Sequence, residues 1–195
     1  MKKRTAKIER KTNETEIALA LDLDGSGQAS VNTGIGFLDH MLTALSRHGR
    51  FDLELSCKGD LEVDDHHTAE DTCIVLGSAI DKALGDRKGI VRFGSAHAPL
   101  DEALARAVVD LSGRSFAAVN LDLSEGKVGE LRCENLPHMI QSLANTGRMT
   151  VHVDVLRGDN DHHKAEAGFK ALALALKQAI AADGTDQVPS TKGVL

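Results

Sequence analysis

Large aliphatic residues alternate with small or polar residues in two segments of the chain. From Ile17 to Leu23 every second position is a large aliphatic side chain, and the segment runs into the turn sequence LDLDGSG at 21–27. A similar pattern follows Phe116 and ends in LDLSEG at 121–126. Because a period of two is typical of half-buried strands, both segments predict strands that end in glycine-containing turns.

Helical periodicity follows these predicted strands. Apolar residues within Leu38–Leu45 have the i, i+3, i+4, i+7 spacing of an amphipathic helix, and Gly49 predicts its end. Gly147 predicts the end of a matching helix further along the chain. A longer helix is predicted over Ile74–Leu84, and the nearly all-apolar run 171–176 predicts its counterpart, packed between other elements or between subunits.

Two copies of one sequence unit account for these patterns. LDHMLTALSRHGR at 38–50 matches LPHMIQSLANTGR at 136–148, and DDHHTAED matches NDHHKAEA. The repeats therefore span about 10–87 and about 110–182, joined by a stretch containing HAPLDEALARAVVDLSGR. The predicted order of elements in each unit is strand, strand, helix, strand, helix. We predict an α+β fold, an internally duplicated sandwich of two similar halves, each a mostly antiparallel sheet carrying helices on one face.

Composition narrows the class of protein. The formal net charge of −6 argues against binding to nucleic acids or anionic membranes, because proteins that bind them usually carry a basic surface. Aromatic residues are only 3% of the chain, which also argues against a surface for stacking bases. The three cysteines (Cys57, Cys73 and Cys133) show no CxxC spacing, which argues against a disulfide framework or a thiolate zinc site. We therefore expect all three to be buried and to pack as small hydrophobic side chains. No apolar run approaches the roughly 20 residues of a membrane span, and the charged amino end lacks a signal-peptide pattern. We therefore expect a cytoplasmic protein.

Six of the nine histidines fall at equivalent positions of the two repeats, and a glutamate accompanies each set. A single histidine in a fold is more often structural than a metal ligand. Two repeats that differ at most other positions nevertheless share three histidines and one glutamate, which favours metal binding. The predicted ligands are His40, His66, His67 and Glu70 in the first repeat and His138, His162, His163 and Glu166 in the second.

Spacing predicts two ions. His66 and His67 are neighbours on a helix, so their side chains point roughly 100° apart and cannot serve one ion. Four ligands for each ion would leave open positions if the ions are six-coordinate, and imidazole with carboxylate suits Mn, Fe, Co, Ni or Zn. The acidic neighbours Asp65 and Asp161 either orient the imidazoles or cap the helix starts.

These motifs together resemble the imidazoleglycerol-phosphate dehydratase family of histidine biosynthesis. The resemblance is carried by GFLDHMLTALSRHG, DDHHTAEDTCIVLG, NDHHKAEAGFKAL and the terminal PSTKGVL, and it covers essentially the whole chain. It implies one dehydratase domain over 1–195 with a short C-terminal substrate-binding tail. It also implies two Mn²⁺ per active site and a homo-oligomer of 24 subunits with active sites between protomers.

The resemblance also assigns roles to residues that have no distinguishing pattern of their own. It implies the same eight metal ligands, and it makes Glu14 in RKTNETE the catalytic acid/base. The implied phosphate-binding residues are Arg92, Arg114, Ser190 and Lys192, with His48 as a helper. The implied reaction converts D-erythro-imidazole glycerol phosphate to imidazole acetol phosphate and water, and we expect it to pass through an imidazolate held by the two metals.

Two other functions fit the repeated ligands. A dinuclear metallohydrolase would use a metal-bound hydroxide on a phosphate ester, although such sites usually have more bridging carboxylates than the two glutamates repeated here. A metal-buffering or assembly protein would use the histidines only to join subunits. Release of inorganic phosphate would identify the first function, and metal-dependent oligomers without turnover would identify the second.

Overall fold

The structure, a computed structural model, describes residues 3–195 and contains two four-stranded sheets, a small hairpin and four long helices. The first half comprises β1 (Thr5–Lys11), β2 (Thr15–Asp22), β3 (Ala29–Asn32), α1 (Gly36–Gly49), β4 (Asp52–Gly59) and α2 (His66–Leu84). The second half comprises β5 (Phe93–Leu100), β6 (Ala103–Asp110), β7 (Phe116–Asn120), β8 (Lys127–Val128), β9 (Leu131–Arg132), α3 (Asn135–Thr146), β10 (Thr150–Arg157) and α4 (Asp161–Ala179).

The two large sheets have the same topology. Their strand orders are β1-β2-β4-β3 and β5-β6-β10-β7, and all neighbouring strands are antiparallel except the pairs β3–β4 and β7–β10. The predicted fold class, a duplicated α+β sandwich with mostly antiparallel sheets, is confirmed. In each half, three strands of the four-stranded sheet precede the first long helix, whereas the sequence pattern predicted two; the second half adds the short β8–β9 hairpin before that helix.

The second half begins earlier than the predicted boundary at about residue 110. The stretch expected to join the repeats forms β5 and β6, which match β1 and β2 in sheet position. The similar sequences LDLDGSG and LDLSEG occupy different places in the two halves. The segment 21–27 includes the last two residues of β2 and leads to β3. The segment 121–126 instead follows β7 and leads into the β8–β9 hairpin, which has no counterpart in the described part of the first half.

The four helices lie between the two sheets. Helix α1 packs against α4 and α2 packs against α3, while α4 also covers β5 and β6. Gly94 in β5 allows a close approach of α4, because a Cβ added there would lie 1.9 Å from the Ala175 carbonyl oxygen. The all-apolar run 171–176 is therefore explained by contacts on several sides, as the pattern predicted.

The helices α1 and α3 end where the glycines predicted, but for a different reason. The left-handed residues are Arg50 (φ 63°) and Arg148 (φ 49°), each directly after the glycine. A Cβ on Gly49 would lie 2.6 Å from the Phe51 ring, and a Cβ on Gly147 would lie 2.8 Å from the Leu143 carbonyl oxygen. These glycines are therefore required by close packing and not by a positive φ.

The cysteines have the predicted environment. Cys57, Cys73 and Cys133 are all buried and free of disulfide bonds. Burial raises the pKa of the Cys73 thiol to about 12, which makes that side chain an inert core residue. Across residues 3–195, no helix has both the length and the apolar composition that crossing a membrane requires.

Candidate metal centres

One cluster of ligand side chains joins α1 to α4. We call it the His40 cluster; it consists of His40, His162 and Glu166. The Glu166 Oε2 atom lies 2.9 Å from His40 Nε2 and 3.2 Å from His162 Nε2. His162 and Glu166 share a face of α4 because they are four residues apart. Three potential ligand atoms therefore converge at the interface between the halves.

A second cluster joins α2 to α3 in the same way. We call it the His66 cluster; it consists of His66, Glu70 and His138. The Glu70 carboxylate lies 3.0 Å from His138 Nε2 and 3.8 Å from His66 Nε2. In each cluster one imidazole comes from the first turns of a helix in one half, and a histidine–glutamate pair comes from a helix of the other half. Each potential metal site therefore needs both halves of the fold.

The remaining two predicted ligands lie outside the clusters. His67 Nδ1 lies 3.0 Å from an Asp60 carboxylate oxygen, and His163 Nδ1 lies 2.7 Å from Glu102 Oε2. Each hydrogen bond raises the pKa of its imidazole. Metal-binding histidines commonly have such a carboxylate on the ring nitrogen away from the ion, which orients the other nitrogen for coordination. Asp60 and Glu102 were not predicted, because neither repeats in the sequence.

The tips of the two leading hairpins bring carboxylates to these outlying imidazoles. Glu14, in the β1–β2 turn, has its Oε1 atom 3.7 Å from His67 Nε2. Asp101, in the equivalent β5–β6 turn, has its Oδ2 atom 3.9 Å from His163 Nε2. The structure thus places the predicted acid/base Glu14 beside one predicted ligand, and it reveals a matching carboxylate that the sequence did not indicate.

Asp65 and Asp161, whose roles the sequence left open, differ in the structure. Asp65 is buried and accepts hydrogen bonds from the Arg132 backbone N–H at 2.6 Å and from Asn135 Nδ2 at 2.9 Å. The Asn135 Oδ1 atom then lies 2.9 Å from His66 Nδ1, so Asp65 acts on this imidazole through Asn135. Asp161 instead binds Ser124 and Lys164 and fixes the loop after β7.

Lys170 contacts the His40 cluster, and His48 lies on the helix that carries His40. The Lys170 Nζ atom lies 2.6 Å from Glu166 Oε1. Burial works to raise the Glu166 pKa, but hydrogen bonds from Lys170 and His40 outweigh it and lower the pKa to about 2. Burial, followed by the Lys170 charge, lowers the pKa of His48. His48 lies in the last turn of α1, the helix that also carries His40.

The predicted phosphate-binding residues group around the C-terminal tail. Arg92 Nε donates to Asp110 Oδ1 at 2.7 Å, and its Nη1 donates to the Pro189 carbonyl oxygen at 2.7 Å, directly before Ser190. A third donation, from Nη2 to Asp110, leaves two of the five guanidinium N–H groups without a partner among residues 3–195. Arg114 is exposed, and a Cβ added at the preceding Gly113 would lie 2.7 Å from the carbonyl carbon of the last residue.

Within one chain the tail and the His40 cluster lie at opposite ends of α4. The Arg92 backbone N–H donates to the carbonyl oxygen of Ala179 in the last turn of the helix, whereas Glu166 lies in its second turn. At 1.5 Å per residue this separation is about 20 Å along the helix axis. The structure therefore does not bring Arg92 or the tail residues Ser190 and Lys192 to the His40 cluster of the same protomer.

The chain is similar to known proteins of one family. A sequence model of the family described as imidazoleglycerol-phosphate dehydratase matches residues 33–176. A relative of that name from Phytophthora nicotianae is 60% identical over 98% of this chain, which spans 42% of that longer protein. One from Komagataella pastoris is 53% identical over 99% of this chain and 97% of its own length.

Solved structures of proteins with this name have the same fold. The crystal structure of imidazoleglycerol-phosphate dehydratase from Staphylococcus aureus has a TM-score of 0.80 and 37% identity, covering 91% of this chain and 99% of its own. The enzyme from Pyrococcus furiosus, solved in complex with (S)-C348, has a TM-score of 0.82 and 35% identity, covering 96% and 100%. The chain therefore belongs to the imidazoleglycerol-phosphate dehydratase family of hydro-lyases.

Proposed function

We propose that this protein removes water from D-erythro-imidazole glycerol phosphate in histidine biosynthesis and that the reaction depends on two divalent metal ions. The observation that carries the proposal is the pair of clusters, in which two imidazoles and one carboxylate lie with their ligand atoms within 4.8 Å of one another. Family membership supports the substrate, and the clusters support the metal dependence.

The donor set fits two Mn²⁺ ions. Each cluster offers two Nε2 atoms and one carboxylate without any thiolate, which suits Mn²⁺ and the other divalent ions that take imidazole and carboxylate ligands. Three protein ligands leave open coordination positions, as catalytic metal sites require. When bound, the ions would act as Lewis acids toward the imidazole ring of the substrate, whose electrons expel the hydroxyl group on the adjacent carbon.

The outlying imidazoles support active sites between protomers. His67 and His163 are each oriented by a carboxylate on Nδ1, yet their Nε2 atoms do not join the clusters of their own chain. We propose that each cluster gains its fourth ligand from one of these two imidazoles on a neighbouring protomer. The proposed assembly is a homo-oligomer of 24 subunits, made and kept in the cytoplasm.

The position of the predicted phosphate-binding residues also favours active sites between protomers. Arg92, Ser190 and Lys192 lie near the C-terminal end of α4, about 20 Å from Glu166 along the helix axis. The ring and the phosphate of one small substrate cannot span that distance. We therefore propose that the phosphate contacts Arg92, Arg114, Ser190 and Lys192 of one protomer, helped by His48, while the ring contacts clusters of another.

Glu14 is the proposed acid/base. Its carboxylate lies beside His67 Nε2. A substrate whose imidazole ring is held by an ion on His67 would therefore have the carbon chain of the substrate within reach of Glu14. Glu14 would take the proton from the carbon next to the one that loses hydroxide, which gives an enol that tautomerises to the ketone. Phosphate contacts far from the bond changes would supply orientation and remote binding energy.

The test is incubation of Mn²⁺-loaded protein with imidazole glycerol phosphate. The expected result is imidazole acetol phosphate with its phosphate retained. Release of inorganic phosphate would instead support a metallohydrolase. Metal-dependent oligomers without turnover would support an assembly protein, and either result would contradict the proposal.

A further inference from the structure

The two clusters differ at one pair of equivalent positions. Asn135 precedes His138 by three residues, as Phe37 precedes His40. The Asn135 side chain lies 2.9 Å from His66 Nδ1, whereas the centroid of the Phe37 ring lies 5.0 Å from that of His162. Equivalent imidazoles therefore face an amide in one cluster and an aromatic ring in the other.

The amide fixes the tautomer of His66. The Nδ2 group of Asn135 donates to the buried carboxylate of Asp65, so the Oδ1 atom must face the imidazole. An oxygen acceptor at that place requires the proton on His66 Nδ1, which leaves the Nε2 lone pair directed into the cluster. Within residues 3–195, His162 Nδ1 has no hydrogen-bond partner of this kind, so nothing selects its metal-binding tautomer in advance.

A positive charge distinguishes the two carboxylates. Lys170 Nζ lies 2.6 Å from Glu166 Oε1, while the equivalent position in the first half is Ile74. In the part of the chain that the structure describes, no lysine or arginine nitrogen lies within 4.0 Å of the Glu70 carboxylate. A cation beside a ligand carboxylate repels a metal ion and weakens that ligand. The partially buried site reduces the screening of this repulsion.

We infer that the His66 cluster binds a divalent cation more tightly than the His40 cluster, so the two metal sites fill in order. The inference deepens the proposed function and rests on its metal dependence. The outlying imidazoles do not cancel the difference, because His67 and His163 both have a carboxylate partner on Nδ1. The asymmetry therefore lies in Asn135 and Lys170.

The experiment is a Mn²⁺ titration of metal-free protein by calorimetry, with the bound ion followed by electron paramagnetic resonance. The expected result is two classes of site whose affinities differ by about 10- to 100-fold, the usual effect of partners that orient a metal ligand. Asn135→Leu should weaken the tighter class alone. Lys170→Met should strengthen the weaker class alone, because it removes the charge and keeps an unbranched side chain at that place. Lys177→Met, an exposed change on the same helix, should alter neither class.

Each outcome decides the inference. Two equal sites in the unaltered protein would overturn the filling order while leaving the proposed metal dependence intact. An unchanged weak class in Lys170→Met, or a weakened weak class in Asn135→Leu, would overturn the assignment of the classes to the clusters. Absence of any Mn²⁺ binding would contradict the proposed metal dependence itself, and this inference with it.

Discussion

The His40 imidazole and the Glu166 carboxylate belong to different halves of the chain, and their Nε2 and Oε2 atoms lie 2.9 Å apart. His138 and Glu70 also belong to different halves, and their Nε2 and Oε1 atoms lie 3.0 Å apart. Neither half alone holds a complete cluster, because each histidine–glutamate pair needs the imidazole of the other half. The packing of α1 on α4 and of α2 on α3 is therefore part of the candidate metal centres and not only part of the core.

Removing one carboxylate should empty one metal site. Glu166→Gln and Glu70→Gln should each reduce bound Mn²⁺ to about one ion per chain, since an amide is a weaker ligand than a carboxylate. Turnover should fall about 1,000-fold if the lost ion contributes several kcal/mol to the transition state. Metal analysis of the purified variants checks this expectation. Two retained ions in both variants would show that the clusters are not the ligands.

Glu14→Gln should separate proton transfer from metal binding. We expect turnover to fall about 10²- to 10⁴-fold with metal content unchanged, because Gln keeps the shape of the side chain but cannot accept the proton. Steady-state kinetics and metal analysis on one preparation measure both effects. Glu9→Gln, an exposed change on β1, is the matched control and should keep full activity. Near-normal turnover of Glu14→Gln would remove Glu14 from the mechanism.

Metal removal should dissociate the assembly and abolish activity together. The reason is that the proposed sites draw His67 or His163 from a neighbouring protomer, so each ion also joins two chains. Size measurement by light scattering before and after chelation checks this, with Mn²⁺ addition as the reversal. Dissociated protomers with full activity would contradict the placement of the active sites between subunits.

Arg92→Lys should weaken substrate binding more than catalysis. Lysine lacks the planar fork with which Arg92 holds Asp110 and the Pro189 carbonyl while two of its N–H groups have no partner in the described part of the chain. A lost charged hydrogen bond of about 1.5–3 kcal/mol corresponds to a KM increase of roughly 10- to 150-fold. Kinetic assays over a range of substrate concentrations measure this. A change in kcat alone would argue against a phosphate-binding role.

Arg87 should be important for stability. Its buried guanidinium donates to the carbonyl oxygens of Gly147 (3.0 Å) and Arg148 (2.8 Å) at the end of α3, and it pairs with Asp81 of α2. Arg87→Met should lower the free energy of unfolding by about 3–5 kcal/mol, because it leaves a carboxylate and two carbonyls without their partner. Urea denaturation followed by circular dichroism measures the change. The exposed Arg47→Met is the control, and equal stability of the two variants would contradict this role.

The repeated motifs predicted much of the site because duplication gives an internal comparison. His40 and His138, for example, lie in equivalent sequence boxes, and both proved to be members of clusters. Asp60 and Glu102 were missed because each half orients its outlying imidazole with a carboxylate from a different place in the chain. The boundary of the second half was misplaced because a short sequence echo carries less information than the pairing of strands.

The sequence by itself determined the α+β class, the duplication, the helices that carry the histidines and the eight candidate ligands, because periodicity and repeated spacing are local properties of a chain. Only the tertiary structure decided which ligands meet, since contacts between α1 and α4 and between α2 and α3 depend on packing across about a hundred residues. It also showed that His67 and His163 lie outside both clusters of their own chain and that Asn135 and Phe37 make the clusters unequal. Those differences arise from distances between side chains, which no local pattern encodes.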